Sequence, residues 1–327
     1  DVDVTNNLDG LNLVANPYPT AIDANAFFNN LNNSTVTTGT AYLWNDGGSN
    51  TGTLRGGDYV TVNSMGTSTG RFDPGTGVPG LQDPNSFDGH FNSFQGFYVD
   101  VNQNGVVSFT PDMQVVDQND TDGFFRQQSD RVENRDVLKL SLNGNHYYND
   151  IIIGLDANAT LGDDYSLDAK KLAGNEDLSF YSIFNDQEYS ILALPFDITT
   201  FQEIRLGIEV SQKGRYELAV EELASQNNSF DYVLIDHLSG ESYDVTSDLN
   251  LVFELEEGSH LQRFSLAIKG RVTVVDEQLN KTISLSKTGQ SLLITYPEGG
   301  NEIVSIHDLQ GKKLFEKTVD FTQGKNL

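Results

Sequence analysis

The sequence predicts an all-β protein, and three observations carry that prediction. Its apolar runs are built from Val, Ile, Tyr and Phe together with Thr, the residues that fit a pleated, half-buried surface. Segments such as Val137-Leu138-Lys139-Leu140-Ser141-Leu142 alternate with a period of two, as a strand with one buried face must. Turn signals such as Lys213-Gly214 and Ser239-Gly240 recur at intervals of about 8–12 residues, the rhythm of a sandwich. The expected architecture is a series of tandem β-sandwich domains, immunoglobulin-like or jelly-roll-like, with one short helix in the first.

In the first region, residues 1–120, a strand over 11–14 is stopped by Asn16-Pro17-Tyr18-Pro19. Asp23 can cap a short helix that runs through Phe27, Phe28 and Leu31. Strands are expected over 41–44, 59–62, 94–101 and 106–110. The last two are joined by Asn102-Gln103-Asn104-Gly105, a hairpin signal. Residues 64–93 are rich in Gly, Pro, Ser and Asp with little periodicity, and read as a long loop.

A linker of low apolar content, 117–134, leads to a second region, 130–270, expected to be a β-sandwich. Its strands are placed at 137–142, 150–155, 189–194, 204–210, 216–220, 232–236, 251–255 and 264–268. A polar linker over 271–280 opens the third region, 271–327, with strands at 282–285, 292–295, 303–306 and 314–319. A chain of 327 residues accommodates two or three domains of about 100–200 residues.

The formal charge is −27, from 20 Lys and Arg against 47 Asp and Glu. A field of that sign repels phosphate backbones and anionic lipid, so neither nucleic acid nor membrane is an expected partner. There is no cysteine, which excludes disulfides, thiolate metal sites and cysteine nucleophiles. No apolar run approaches the roughly 20 residues needed to span a bilayer. No leader peptide opens the sequence, and Asp1-Val2-Asp3-Val4 reads as the interior of a longer protein.

Two acidic segments have oxygen ligands at calcium-like spacing. Asp117-Gln118-Asn119-Asp120-Thr121-Asp122-Gly123 alternates oxygen side chains before a glycine, but Gln128 stands where a closing glutamate is needed, so a plain acidic linker is preferred. Asp156, Asn158, Asp163, Asp164 and Asp168, with Thr160, follow a strand and could gather around Ca²⁺. Loop acids that cap a short helical turn would give the same sequence. Calcium is the one cofactor the composition suggests.

The five histidines, His90, His146, His237, His260 and His307, show no metal spacing and read as surface or turn residues. No nucleophile elbow, phosphate loop or dinucleotide fingerprint occurs, and no pair among the 47 acids stands out as catalytic, so the chain is not expected to be an enzyme. Tyr18, Trp44, Tyr59, Phe94, Phe97 and Tyr98 could form a platform for sugar rings, with Trp44 and Tyr59 the candidates to carry it. Alternation along strands favours core packing for most of them.

The run Ile303-Val304-Ser305-Ile306-His307-Asp308-Leu309-Gln310-Gly311-Lys312-Lys313, followed by Leu314-Phe315-Glu316-Lys317-Thr318-Val319, resembles the terminal hairpin of type IX secretion sorting domains in the Bacteroidetes. The resemblance implies a partial sorting domain, read by the type IX machinery through Ile306, Asp308, Leu309, Gly311 and Lys312. The first region resembles a domain found upstream of such signals. The matching residues are Leu13-Val14-Ala15-Asn16-Pro17-Tyr18-Pro19, Ala21-Ile22-Asp23-Ala24, Tyr42-Leu43-Trp44, Gln95-Gly96-Phe97-Tyr98-Val99 and Val107-Ser108-Phe109-Thr110-Pro111-Asp112-Met113. Ala15 stands where that family commonly has glycine, and little sequence precedes Leu11, where a strand is expected.

Together these resemblances imply a secreted or cell-surface-anchored protein lying outside the outer membrane. The expected role is non-catalytic, in adhesion or in assembly of an extracellular appendage or filament, with self-association or surface glycans as contacts. The alternative is a carbohydrate-binding accessory module of a secreted polysaccharide-degrading enzyme.

Overall fold

The computed structural model describes residues 1–7, 10–45, 58–72, 89–115, 135–196, 202–224, 230–270, 284–288, 291–295, 300–307 and 313–321. The protein is all-β and divides into two compact units, Asp1–Arg271 and Val272–Leu327. The linker read over 117–134 and its acidic loop lie outside the described residues.

The first part of the larger unit contains β1 (Val2–Val4), β2 (Leu11–Ala15), β3 (Ala21–Asp23), α1 (Ala24–Asn29), α2 (Asn33–Val36), β4 (Thr37–Asn45) and β5 (Asp58–Asn63). It continues through β6 (Gly66–Ser68), β7 (Gly70–Phe72), β8 (His90–Phe91), β9 (Gly96–Val101), β10 (Gly105–Val107) and β11 (Gln114–Val115). Five of these form a sheet in the order β2-β9-β4-β5-β6. Its inner face, with Val14, Leu43, Val60, Phe97 and Val99, packs on α1. The Asp23 carboxylate caps that helix by accepting from Ala26 N at 2.7 Å. Phe27 reaches from α1 into a cluster with Phe91, Phe97 and Phe109, its ring centroid 5.1–5.9 Å from each.

Two asparagines tie the irregular segments to this core. Asn16, buried after β2, donates to the carbonyls of Thr20, Phe91 and Asn92 and accepts from Tyr18 N. The Tyr18 hydroxyl donates to Phe109 O, so the Asn-Pro-Tyr-Pro segment is a fastener rather than a simple stop. Asn33 donates to Phe27 O and Ser108 O and accepts from Ser108 N. It lies in α2, a second short helix beyond the single one expected, and Leu31 falls outside both helices, 84% exposed.

The hairpin expected around 102–105 does not form. β9 pairs with β2 and β4, whereas β10 pairs with β1. The connection is drawn onto α2 instead: Asn102 N donates to Val36 O, and a Cβ at Gly105 would stand 2.3 Å from Val36 Cγ1. β1 also supplies the strand expected before Leu11.

The remainder of this unit is β12 (Arg135–Gly144), β13 (Tyr147–Asp156), β14 (Ala169–Lys170), β15 (Leu178–Phe184), β16 (Gln187–Pro195) and β17 (Gln202–Val210). It ends with β18 (Gly214–Ala224), β19 (Phe230–Asp236), β20 (Glu241–Asp244), β21 (Asn250–Leu255) and β22 (Gly258–Gly270). The main path of the sheet runs β20-β19-β22-β17-β15-β16-β13-β12-β18-β21, with β13 and β16 parallel. β21 forms one edge and β22 is third from the other, yet only Glu256 and Glu257 separate them. Such a short connection is possible only if the sheet curls until its ends approach. Phe253 of β21 and Phe264 of β22 lie 4.7 Å apart, with the Arg263 guanidinium over both rings. The curled sheet encloses one sandwich-like core that includes Leu138, Leu140, Ile151, Ile153, Phe180, Leu206 and Leu266. Each such side chain contributes about 1.5–3 kcal/mol by leaving water.

Residues 1–120 and 130–270, read separately in the sequence, meet within this unit. Part of the segment read as a long loop is β6 and β7, which dock on β13; β7 pairs with its first residues. Ser68 Oγ donates to Asp150 O and Thr69 N to Asp150 Oδ1. Met65 rests on Gly154, where a Cβ would stand 2.1 Å from its terminal methyl. Three ion pairs of low exposure lie in or beside this seam: Arg135–Asp156 at 3.0 Å, Lys139–Asp150 at 3.1 Å and Lys171–Asp58 at 2.8 Å.

The smaller unit contains two antiparallel pairs, β23 (Ser284–Thr288) with β24 (Ser291–Thr295), and β25 (Gly300–His307) with β26 (Lys313–Phe321). β24, β25 and β26 cover the strands read at 292–295, 303–306 and 314–319, and β23 overlaps the end of the one read at 282–285. Among the described residues, no helix is long and apolar enough to cross a membrane.

Candidate functional site

The outer face of the five-stranded sheet carries an aromatic row. Strand register places Leu13 opposite Tyr98, Tyr98 opposite Tyr42, and Trp44 opposite Tyr59. Cross-strand partners share a face, as do residues two apart, so all five side chains lie on the same surface. Tyr59 is the hub. Its ring centroid is 5.0 Å from Trp44, 6.1 Å from Tyr98 and 6.4 Å from Tyr42, each pair edge-to-face. Burial, with Tyr98 and Asp58 nearby, raises the Tyr59 hydroxyl above its ordinary pKa.

Part of this face is covered and part is open. The Tyr42 hydroxyl donates to Lys170 O, and Thr40 Oγ1 donates to Asp168 O, which seats the 165–171 segment over the middle of the sheet. That segment approaches β4 so closely that a Cβ on Gly39, whose φ is +75°, would stand 2.7 Å from Ser166 Cβ. Beyond the cover, Trp44 remains 48% and Leu13 63% exposed, with Tyr59 and Tyr98 half-buried beside them.

Of the aromatics singled out in the sequence, the structure brings Trp44, Tyr59 and Tyr98 together. Phe97 points into the core, Tyr18 is tied to Phe109 O, and Phe94 sits exposed in a left-handed turn with φ 57°. Tyr42 and Leu13 complete the surface and were not singled out. The period-two spacing of Tyr42 with Trp44 was the available signal.

The acidic cluster serves the loop over Tyr42. Asp156 accepts from Asn158 N and pairs with Arg135; Asp164 accepts from Thr160 N and Thr160 Oγ1. Asp163 accepts from the Tyr189 hydroxyl and pairs with Lys170 at 3.3 Å. Asp168 accepts from Ala193 N at 2.7 Å and Asp164 N at 2.8 Å. The carboxylates thus face protein donors. Among the described residues, no group of three or more His, Cys, Asp or Glu side chains is placed to hold a metal ion.

Burial lifts the Asp168 carboxyl to about 6, with a smaller upward push from Asp164 and Asp163, against the pull of its two N–H donors. The folded value exceeds the ordinary 3.8. The contribution to stability is therefore fully present below that ordinary value and is lost as pH rises through about 6. A ¹³C NMR titration of the carboxyl groups should show the Asp168 midpoint near 6; an unshifted midpoint at the ordinary 3.8 would contradict this environment.

Of the residues read as a secretion signal, Ile306 lies in β25 opposite Phe315 of β26, while Asp308, Leu309, Gly311 and Lys312 lie outside the described residues.

The family described as "Domain of unknown function (DUF8693)" matches residues 1–268. The chain belongs to this family. The DUF8693 match spans both regions read separately in the sequence and ends three residues before the boundary of the larger unit at Arg271. The aromatic face therefore lies within the DUF8693 domain, whereas the β25–β26 hairpin lies beyond the match. Neither a curated protein nor a solved structure shows significant similarity to the chain.

Proposed function

We propose that Asp1–Arg271 is a non-catalytic adhesive module of a secreted or surface-attached protein, and that it holds glycans on the aromatic face. The observation that carries this reading is the open row formed by Trp44, Tyr59, Tyr98 and Leu13 on a paired, twisted sheet. Sugar rings present an apolar face that stacks on aromatic carbon, while indole N–H and phenol O–H groups reach hydroxyls. Rings locked by edge-to-face packing lose little entropy on binding, which favours a site built on strands over one built on loops. The net charge of −27 disfavours acidic polymers and points to neutral polysaccharide.

Assembly through sheet edges is a weaker reading. The terminal strands β20 and β21 carry Glu241, Asp244 and Glu254, and like charges on edges oppose pairing between copies. An accessory module of a polysaccharide-degrading enzyme would use the same aromatic face, so both glycan readings share this site. A screen of soluble neutral polysaccharides by affinity electrophoresis tests it: retardation should be lost in Trp44→Ala. Retention of binding in that variant moves the site elsewhere.

The β25–β26 hairpin supports a separate role for the smaller unit, as the part read by the type IX export machinery. Removing residues 271–327 is expected to retain the protein inside the cell, as judged by surface immunolabelling. Unchanged display of the shortened protein removes the export role.

A further inference from the structure

A group of three buried side chains in the seam brings a lysine and an asparagine onto one oxygen of a buried carboxylate. One oxygen of Asp58, Oδ2, lies 2.8 Å from Lys171 Nζ and 2.7 Å from Asn149 Nδ2. Asp58 is 0% exposed and Asn149 1%, and the Lys171 side chain is 8% exposed. The two nitrogens are no farther apart than the sum of those distances. Asp58 is held in place by Tyr59 N, which donates to Oδ1 at 2.7 Å. Backbone closes over the carboxylate from two sides: a Cβ would stand 2.2 Å from it at Gly70 and 2.3 Å at Gly174.

We propose that Lys171 and Asn149 join through an intramolecular isopeptide bond, with Asp58 as the proton carrier. Asp58 takes a proton from the Lys171 ammonium, and the neutral Nζ attacks Asn149 Cγ. The Nζ–Cγ bond forms and the Cγ–Nδ2 bond breaks. Asp58 passes two protons in turn from Nζ to the departing nitrogen, which leaves as ammonium, and the carboxylate is restored. No electrons are exchanged and no co-reactant is needed.

The Asp58 group supplies what such a reaction requires. Held reactants replace a bimolecular collision. A single carboxylate oxygen reaches both the nitrogen that loses protons and the one that gains them. Glycine backbones packed on the carboxylate limit access of water, which would otherwise compete as nucleophile. A simple buried ion pair needs no amide. The neighbouring Lys139–Asp150 pair shows the contrast, since the other groups on that carboxylate are Thr69 N and the Tyr148 hydroxyl. The inference does not depend on the glycan reading, because the group lies inside the fold.

Intact-mass spectrometry of the purified full chain tests it. The expected mass is one ammonia below the sequence value, with a protease-derived branched peptide joining Asn149 to Lys171. Lys171→Arg and Asp58→Ala should show the full mass. A wild-type mass equal to the sequence value overturns the proposal. So does an ammonia deficit that persists in Lys171→Arg, which would report cyclisation at an asparagine. The wild-type spectrum and its peptide map decide the question even where a variant fails to fold.

Discussion

Asp150→Ala is expected to lower the unfolding free energy by about 3–5 kcal/mol, the range for breaking a buried ion pair from one side. Asp150 is 0% exposed, and three donors converge on it: Lys139 Nζ, Thr69 N and the Tyr148 hydroxyl. Burial raises its pKa while Lys139 and the hydrogen bonds pull it down, with burial the larger influence. Alanine leaves the Lys139 ammonium without that carboxylate and leaves the Thr69 N–H without its side-chain acceptor. The seam between β6–β7 and β13 should loosen first. Urea denaturation of both proteins measures the loss. The double variant Lys139→Met/Asp150→Leu should recover much of it, because an apolar pair of similar volume avoids the desolvation of two charges. A loss below about 1 kcal/mol for Asp150→Ala, the scale of an exposed pair, would mean the seam is wet.

Trp44→Ala is expected to weaken binding to a neutral polysaccharide about 30-fold, the equivalent of an anchor contributing about 2 kcal/mol. Tyr59→Ala should have a smaller effect of the same sign, because Tyr59 is half-buried and acts chiefly by holding the Trp44 ring. Leu238→Ala should leave affinity unchanged, although Leu238 is 75% exposed, because it follows β19 rather than lying on the aromatic face. Neither exposed substitution removes buried contacts on the scale of Asp150, so folding stability separates the two kinds of effect. Equal weakening by Leu238→Ala would point to general stickiness rather than a site.

Much of the fold was legible because one buried face imposes period-two alternation. The strands expected at 137–142, 150–155, 204–210 and 232–236 lie within β12, β13, β17 and β19. β15 gives no clear period-two signal because both its faces are largely buried, and Phe180-Tyr181 beside Ile183-Phe184 blurs the alternation. The turns Asn145-His146 and Asn185-Asp186 lack glycine, yet all four residues adopt positive φ and close tight hairpins.

Long-range pairing was less accessible. Asn102-Gln103-Asn104-Gly105 has hairpin chemistry, but Val36 and β1 lie far away in sequence, and their contacts redirect β10. Trp44 and Tyr59 were legible as aromatics on strands. Their openness was not, since it depends on where the 165–171 segment ends its cover over Tyr42. The oxygen spacing from Asp156 to Asp168 fitted calcium and capping equally well, and only the identity of each donor distinguishes the observed bonds.

Trp44 is the single tryptophan in the sequence, so its fluorescence reports on the proposed site without labelling. Titrating the full chain with soluble glucan, mannan and xylan should produce, for at least one of them, a saturable change in emission with a blue shift as the indole leaves water. That change should saturate at the concentrations that retard the protein in affinity electrophoresis. Unaltered emission across the panel, together with equal mobility of the wild type and Trp44→Ala, would contradict glycan binding at this face.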